Sequence, residues 1–377
     1  MIVSLDIKDK FLTCPELYNV YPIRNEVSLF GNLDQDIAFN NLESPVLDDH
    51  YGRVFSESVY KLGIPYGDSL RMPFYPCGFS GQIVGEMRVP YRKVPVFRVE
   101  DISGLNKLFA DVKNYSPQHE ILVRGQTSTH NLVRSDEEKQ LLFGSIDHVE
   151  PSFLASGSRK GYSELFLNSL WESQTRILLH DISVDMKNEL AGEAFVRFSE
   201  ATAQLQSGPR FIPFGLGLAQ HYGMPSVGLD LTDNLQVALW FASNSIDIDA
   251  SGTAICKQVH SLDSSRLFFF RCPKNSVYSH KAVKPDYFPE CRPDNQNAWF
   301  GHVGWGQAKN QMASYLCCVV EVTSELIKSI PHNFENRLFP VCENDPILNY
   351  FWKIKGAPRY EGEAKRAISS IYRIERN

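Results

Sequence analysis

The stretch "SVGLDLTDNLQVALWFASN", Ser226 to Asn244, sets a strand and a helix almost back to back. Val227, Leu229 and Leu231 alternate along the first part, the period of a strand. Leu235, Leu239 and Ala242 then share one helix face, with Val237, Ala238 and Phe241 beside them. A helix that is apolar nearly all round has to be covered on every side. The chain must therefore fold into layers with this unit inside them. Thr232 or Asp233 is placed to cap the helix, since either side-chain oxygen can accept from the free N–H groups of its first turn.

The flanking segments supply the layers. Ile102, Leu105, Leu108, Phe109 and Val112 mark one apolar helix face, which Pro117 ends. "HEILVRGQ" reads as a short buried strand stopping at Gly125. Two helical stretches follow between residues 160 and 207. The first puts Leu165, Phe166, Leu170, Ile177 and Leu178 broadly on one side, and the second has Leu190, Ala194, Phe195, Phe198 and Ala201 at helical spacing. "RLFFFRCP" and "SYLCCVVEVT" are strand candidates rich in β-branched and aromatic residues, and the chain closes on two short helices. "GFSGQIVGEMRVPYRKVPVFRVE" favours short strands joined by turns, and the opening 75 residues show little clean period. Strands and helices do not alternate strictly, which favours an α+β architecture over a doubly wound parallel sheet. Residues 1–100 read as an N-terminal extension of mixed or β character, residues 101–345 as the main domain and residues 346–377 as a helical tail.

A chain of 377 residues with 43% hydrophobic content can bury a sizeable core. Its net charge of −6 argues against a broad basic nucleic-acid surface, though not against a local basic pocket. The eight cysteines show no CxxC pair or zinc-knuckle spacing and read as free thiols in a reducing compartment. Cys317-Cys318 lies in an apolar run, which points to burial rather than a metal site. There is no signal-peptide pattern and no apolar run of the ~20 residues that a membrane span needs, so a cytoplasmic protein is expected.

The sequence has no GxGxxG, GxxxxGK[ST], HExxH or GxSxG string. Three polar clusters remain. Arg124-Gly125-Gln126 ends a strand, where a guanidinium can meet a phosphate or carboxylate and glycine allows close approach. The competing reading is a surface ion pair. Gln220-His221-Tyr222-Gly223 offers hydrogen bonds to a sugar or amide and a ring for stacking. It also reads as a turn, with Gly223 at a special φ. Gln311 precedes the strand "YLCCVVEV", and Gln296 in "RPDNQNAWF" rivals it.

Taken together, "VRGQ", then "LAQHYGMPSVGLDLTDNLQVALWFA", then a late Gln near an aromatic residue resemble the FRG domain. Its centre typically reads Gln-His-Tyr-Gly-x-Pro-Thr-Arg-Leu-Leu-Asp-Trp-Thr, followed by a helix ending Ala-Leu-Tyr-Phe-Ala. This chain supplies Arg124, Gly125, Gln220, His221, Tyr222, Gly223, Pro225, Leu229, Asp230, Thr232, Ala238, Leu239, Phe241 and Ala242. It departs at Val123 for the family's Phe, at Ser226-Val227-Gly228 for Thr-Arg-Leu, and at Leu231 for Trp. FRG domains in turn resemble the ADP-ribosyltransferase fold, a split β-sheet core holding NAD in a cleft, which is a fold-level analogy. The resemblance implies an enzyme that uses NAD as substrate and modifies an unknown macromolecular acceptor, in a toxin or phage-defence role. With water as acceptor it implies an NAD glycohydrolase. The other class it admits is a non-catalytic module binding a nucleotide or partner. Arg124, Gly125, Gln126, Gln220, His221 and Tyr222 would hold the nucleotide. Gln311 would orient an acceptor, and Asp230 would supply negative charge for the oxocarbenium-like sugar or else serve as a turn aspartate. Arg124, His221 and Gln311 are expected to converge on one cleft.

Overall fold

The computed structural model describes residues 2–4, 46–48, 50, 51, 53–55, 66, 78–90, 92–301, 309–341 and 344–375; most of the opening 75-residue stretch lies outside them. The described chain is a mixed α+β fold around one eight-stranded sheet. Its strands are β1 (Gln82–Val89), β2 (Arg92–Arg98), β3 (His119–Gln126), β4 (Leu229–Thr232), β5 (Arg266–Pro273), β6 (Val277–Ser279), β7 (Ala298–Gly301) and β8 (Leu316–Glu321). The order across the sheet is β6-β7-β4-β3-β5-β8-β2-β1. Neighbours are antiparallel except β8 and β2, which run parallel at Val319–Val96 and Val320–Phe97.

The principal helices are α1 (Ile102–Tyr115), α2 (Glu164–Glu189), α3 (Glu193–Ser207), α4 (Phe211–His221), α5 (Leu235–Ser243), α6 (Arg292–Asn295), α7 (Pro346–Lys355) and α8 (Gly362–Ser369). Period-two alternation divides the sheet's two faces. Ile121 and Val123 of β3, with Leu267 and Phe269 of β5, pack against Leu105 and Leu108 of α1 and Leu235, Ala238 and Leu239 of α5. Leu122, Phe268 and Phe270 face the other way, onto Phe153, Leu142 and Leu316. Burial on both faces explains why "RLFFFRCP" is apolar at consecutive positions. Cys317 and Cys318 are both buried on β8. Asp101 caps α1 by accepting from the Gly104 N–H at 2.8 Å.

A separate helical core gathers α2, α3, α4, α7 and α8 around Trp171, Phe198, Phe214, Tyr222, Phe351 and Ile368. In α2 the buried face is Leu167, Trp171, Gln174, Leu178 and Ile182. Leu165 and Ile177, expected on that face, lie among the exposed residues, because the i, i+4, i+7 register begins two positions later. The closing helices α7 and α8 pack into this core. The β1–β2 hairpin likewise continues the central sheet through its pairing with β8. No helix among the described residues is long and apolar enough to cross a membrane.

Candidate functional site

The sheet has a seam. β4 pairs with β7 over four residues, yet it joins β3 through one pair only, Val123 with Thr232. Beyond that pair the two strands part, and the backbone carbonyl of Asp230 has no ladder partner on the β3 side. Arg124 replaces the missing bond: its Nη1 donates to the Asp230 carbonyl at 2.7 Å. A cavity of about 120 Å³ opens at this seam. Val123, Arg124 and Gly125 line it from β3, Asp230, Leu231 and Thr232 from β4, Val237, Ala238 and Phe241 from α5, and His221 and Gln296 close it.

His221 reaches the seam from the last turn of α4. Its Nδ1 donates to Gln296 Oε1 at 2.9 Å, and Gln296 Nε2 donates to the Leu338 carbonyl at 3.2 Å. That second bond fixes the amide so that its oxygen faces the ring. His221 Nε2 is thereby turned to Asp230 Oδ1 at 3.4 Å, and Asp230 is partly open to the cavity. Thr232 Oγ1 donates to the Gln296 carbonyl at 2.9 Å and accepts from the Asn234 N–H. Its hydroxyl therefore ties β4 to the turn carrying Gln296. The helix cap is Asn234, whose Oδ1 accepts from Gln236 and Val237; Thr232 and Asp233, expected as caps, sit one or two residues too early. Arg124 Nε is buried and has no hydrogen-bond partner. Burial lowers the Arg124 guanidinium from the ordinary arginine value while the Asp230 charge acts in the opposite sense.

Of the residues singled out in the sequence, Arg124, Gly125, His221 and Asp230 meet here and Gln296 joins them. Gln311 does not. It opens a 3₁₀ turn leading into β8, three strands away from β4, and its Nε2 donates to the Tyr315 hydroxyl at 3.0 Å. At ~4.8 Å per strand that separation exceeds the reach of a glutamine side chain. Tyr222 also turns away. It is wholly buried, its hydroxyl donates to the Asp345 carboxylate (2.8 and 2.9 Å), and its ring packs on Phe351 and under the Arg292 guanidinium. One residue along a helix end rotates a side chain by about 100°, so His221 faces the sheet and Tyr222 the helical core. Gln220 and Gln126 do not line the cavity. Gly125, besides lining the cavity, lets α5 pack close against β3: a Cβ there would stand 1.8 Å from the Ala238 carbonyl oxygen of α5. Gly223 has φ of 92°, and a Cβ on it would meet Tyr372 and the Ser370 carbonyl.

Arg292 holds the lower side. It is fully buried, donates to the His221 carbonyl at 3.3 Å, and has Asp345 at 4.0 Å as counter-ion. Sequence reasoning passed over Arg292. Its signal was faint, an arginine four residues before Gln296 in a segment otherwise read as a rival to Gln311.

No curated protein and no solved structure matches the chain. The family model of the FRG domain matches residues 168–250, which hold most of α2, all of α3, α4, β4 and α5, and with them His221 and Asp230, while Arg124 and Gln296 fall outside. The match supports the FRG family for this central segment, which holds the Gln220–Ala242 part of the resemblance.

Proposed function

We propose that the seam cavity takes the nicotinamide end of NAD, or of a related nucleotide, and breaks its bond to ribose, passing ADP-ribose to an acceptor. The observation that carries this reading is the meeting of a guanidinium, an imidazole and a carboxylate where the sheet parts. A sheet joined across its middle by one residue pair is in keeping with a split core of ADP-ribosyltransferase type. Arg124, which lines the cavity, supplies the positive charge for a pyrophosphate. As the C–N bond lengthens, the Asp230 carboxylate faces the positive charge growing on the sugar. Nicotinamide leaves with the bonding pair, an acceptor oxygen attaches to the ribose carbon, and the acceptor's proton passes to Asp230 or to His221 Nε2. Gln296 positions the imidazole for this role, in place of the acceptor-orienting part expected of Gln311.

A macromolecular acceptor makes the protein an ADP-ribosyltransferase, suited to a toxin or phage-defence role in the cytoplasm. Water makes it an NAD glycohydrolase. One observation favours a second reading, a non-catalytic nucleotide-binding module. The cavity's volume of about 120 Å³ is below the roughly 300–1,000 Å³ usual for ligand pockets. It holds one ring, with the remainder of a dinucleotide lying across the mouth.

The test is incubation with NAD labelled on its adenylate half, following nicotinamide release and label transfer. Asp230→Asn is expected to lower release about 100-fold while nucleotide affinity holds. Arg124→Lys is expected to weaken binding about tenfold, through the lost fork geometry. Absence of nicotinamide release by the wild-type chain, across protein and nucleic-acid acceptors and water, would end the enzyme reading; measurable NAD affinity in that case leaves the binding module.

A further inference from the structure

Next to the seam, three side chains of different chemistry converge in the interior. His280 follows β6, Cys291 precedes α6, and Asp294 lies within α6; all three are buried. Cys291 Sγ is 3.4 Å from His280 Nε2 and 3.3 Å from Asp294 Oδ2, and His280 Nε2 is 3.9 Å from the same carboxylate oxygen. We propose that His280 Nε2, Cys291 Sγ and Asp294 Oδ2 form a binding site for a zinc ion.

The distances fit that ion. Zinc binds thiolate at about 2.3 Å, imidazole at about 2.0–2.1 Å and carboxylate oxygen at about 2.0–2.2 Å in tetrahedral array. Ligand atoms at those lengths stand roughly 3.4–3.6 Å apart, so two edges are already in place and the third closes by about half an ångström. A mixed nitrogen, sulfur and oxygen set suits zinc better than calcium or magnesium, which take oxygen. The surroundings hold the ligands ready. Phe214 stacks on the His280 ring with centroids 5.6 Å apart, and Phe288 meets it edge-on at 6.4 Å. Lys284 Nζ contacts the other carboxylate oxygen, Asp294 Oδ1, at 2.7 Å, and the Cys291 N–H donates to Oδ2 at 3.1 Å, which orients that oxygen's remaining lone pair toward the cluster. His280 also lines a small cavity of about 20 Å³ that it shares with His221, room for about one water molecule beside the cluster.

The site's role follows from chain connectivity. Cys291 is the residue before α6 and Gln296 the residue after it. Zinc ligation at 291 and 294 fixes the turn that presents Gln296 to His221 and sets Arg292 beneath the His221 carbonyl. The zinc acts as a clamp on the seam's positioning groups. The site stands on its own residues, whether or not the seam cleaves NAD. The sequence hides it, because His280, Cys291 and Asp294 follow no familiar ligand spacing and Cys291 has no second cysteine nearby.

The experiment is metal analysis of the full chain after incubation with zinc and gel filtration, followed by cobalt(II) substitution. The wild-type protein is expected to retain about one zinc per chain, and its cobalt form to show a thiolate charge-transfer band with the intense visible bands of tetrahedral coordination. Cys291→Ser is expected to lose the charge-transfer band, and Cys256→Ser, at a thiol outside the cluster, to keep it. A wild-type chain that retains no zinc, or a cobalt form without a thiolate band, overturns the proposal even if every variant fails to fold. So does a Cys291→Ser protein that keeps the band. These readings are independent of nicotinamide release, so failure here leaves the NAD reading untouched and the reverse is equally true.

Discussion

Tyr222→Phe separates the two duties that the Gln220–Gly223 string has been given. The hydroxyl it removes donates to both oxygens of Asp345 at 2.8 and 2.9 Å, inside a core where neither residue meets solvent. Asp345 keeps the Leu348 N–H at 2.9 Å and the Arg292 charge at 4.0 Å. A buried hydrogen bond to a charged acceptor contributes about 1.5–3 kcal/mol, and the orphaned carboxylate lone pairs place the loss near the upper half of that range. Unfolding entropy of roughly 2.1 cal/mol/K per residue, over 377 residues, is about 0.8 kcal/mol/K. The melting temperature should therefore drop by about 3 °C. Thermal melts give that number, and titration calorimetry with NAD gives the second: affinity should stay within about twofold, since the ring does not reach the cavity. A tenfold loss of affinity with an unchanged melting temperature would refute the assignment and return Tyr222 to the ligand.

Three further outcomes are expected. Glu164 is buried, its Oε2 has no partner, and burial pushes its carboxyl up to about 7 from 4.5, with Lys309 and Ser158 acting the other way. A raised carboxyl favours the fold fully below 4.5, and that contribution is lost as the pH rises through 7; the gap is worth about 3 kcal/mol. Denaturant melts at pH 5 and pH 8 should show Glu164→Gln flattening this dependence, and parallel profiles for variant and wild type would exclude it. Gly125→Ala drives a methyl group to 1.8 Å from the Ala238 carbonyl and must push α5 off β3. The cost is about 3 kcal/mol or more, read by denaturant titration. Gln296→Ala should reduce nicotinamide release about tenfold by freeing the His221 ring, whereas Gln311→Ala should leave it within about twofold; the opposite ranking would move the site toward β8.

What the sequence made legible follows the physics of each signal. β3, β5 and the apolar helix α5 were readable because their burial is written into their own residues, "HEILVRGQ", "RLFFFRCP" and "LQVALWFAS". The choice between Gln296 and Gln311 was not readable. Both precede aromatic residues, and only the sheet order, with β5 and β3 lying between β8 and β4, decides which one can touch His221. Tyr222 was misread for a related reason: adjacency in a string implies a shared site in a strand or loop, but at the end of α4 it implies divergence. The buried face of α2 slipped by two residues because a long helix with apolar residues on two sides offers more than one register.

The seam explains why Arg124 rather than another basic residue belongs here. Strands that part after one pair leave a carbonyl without its ladder donor, and a buried unsatisfied carbonyl costs about 1–3 kcal/mol. Arginine's planar fork can satisfy the Asp230 carbonyl through Nη1 while its delocalised charge borders the cavity. Lysine's three donors all radiate from one nitrogen and lack the coplanar fork, so it cannot span the carbonyl and an anion in that fixed geometry. The same guanidinium thus closes the gap in the sheet and carries positive charge into it. Asp230 is doubly engaged in the same way, its carbonyl on Arg124 and its carboxylate before His221. Any change that re-pairs β3 with β4 would stabilise the sheet and erase the cavity together. The interrupted ladder is for that reason a property of the site, and the stability it forgoes is held in place by Arg124, Thr232 and Gln296.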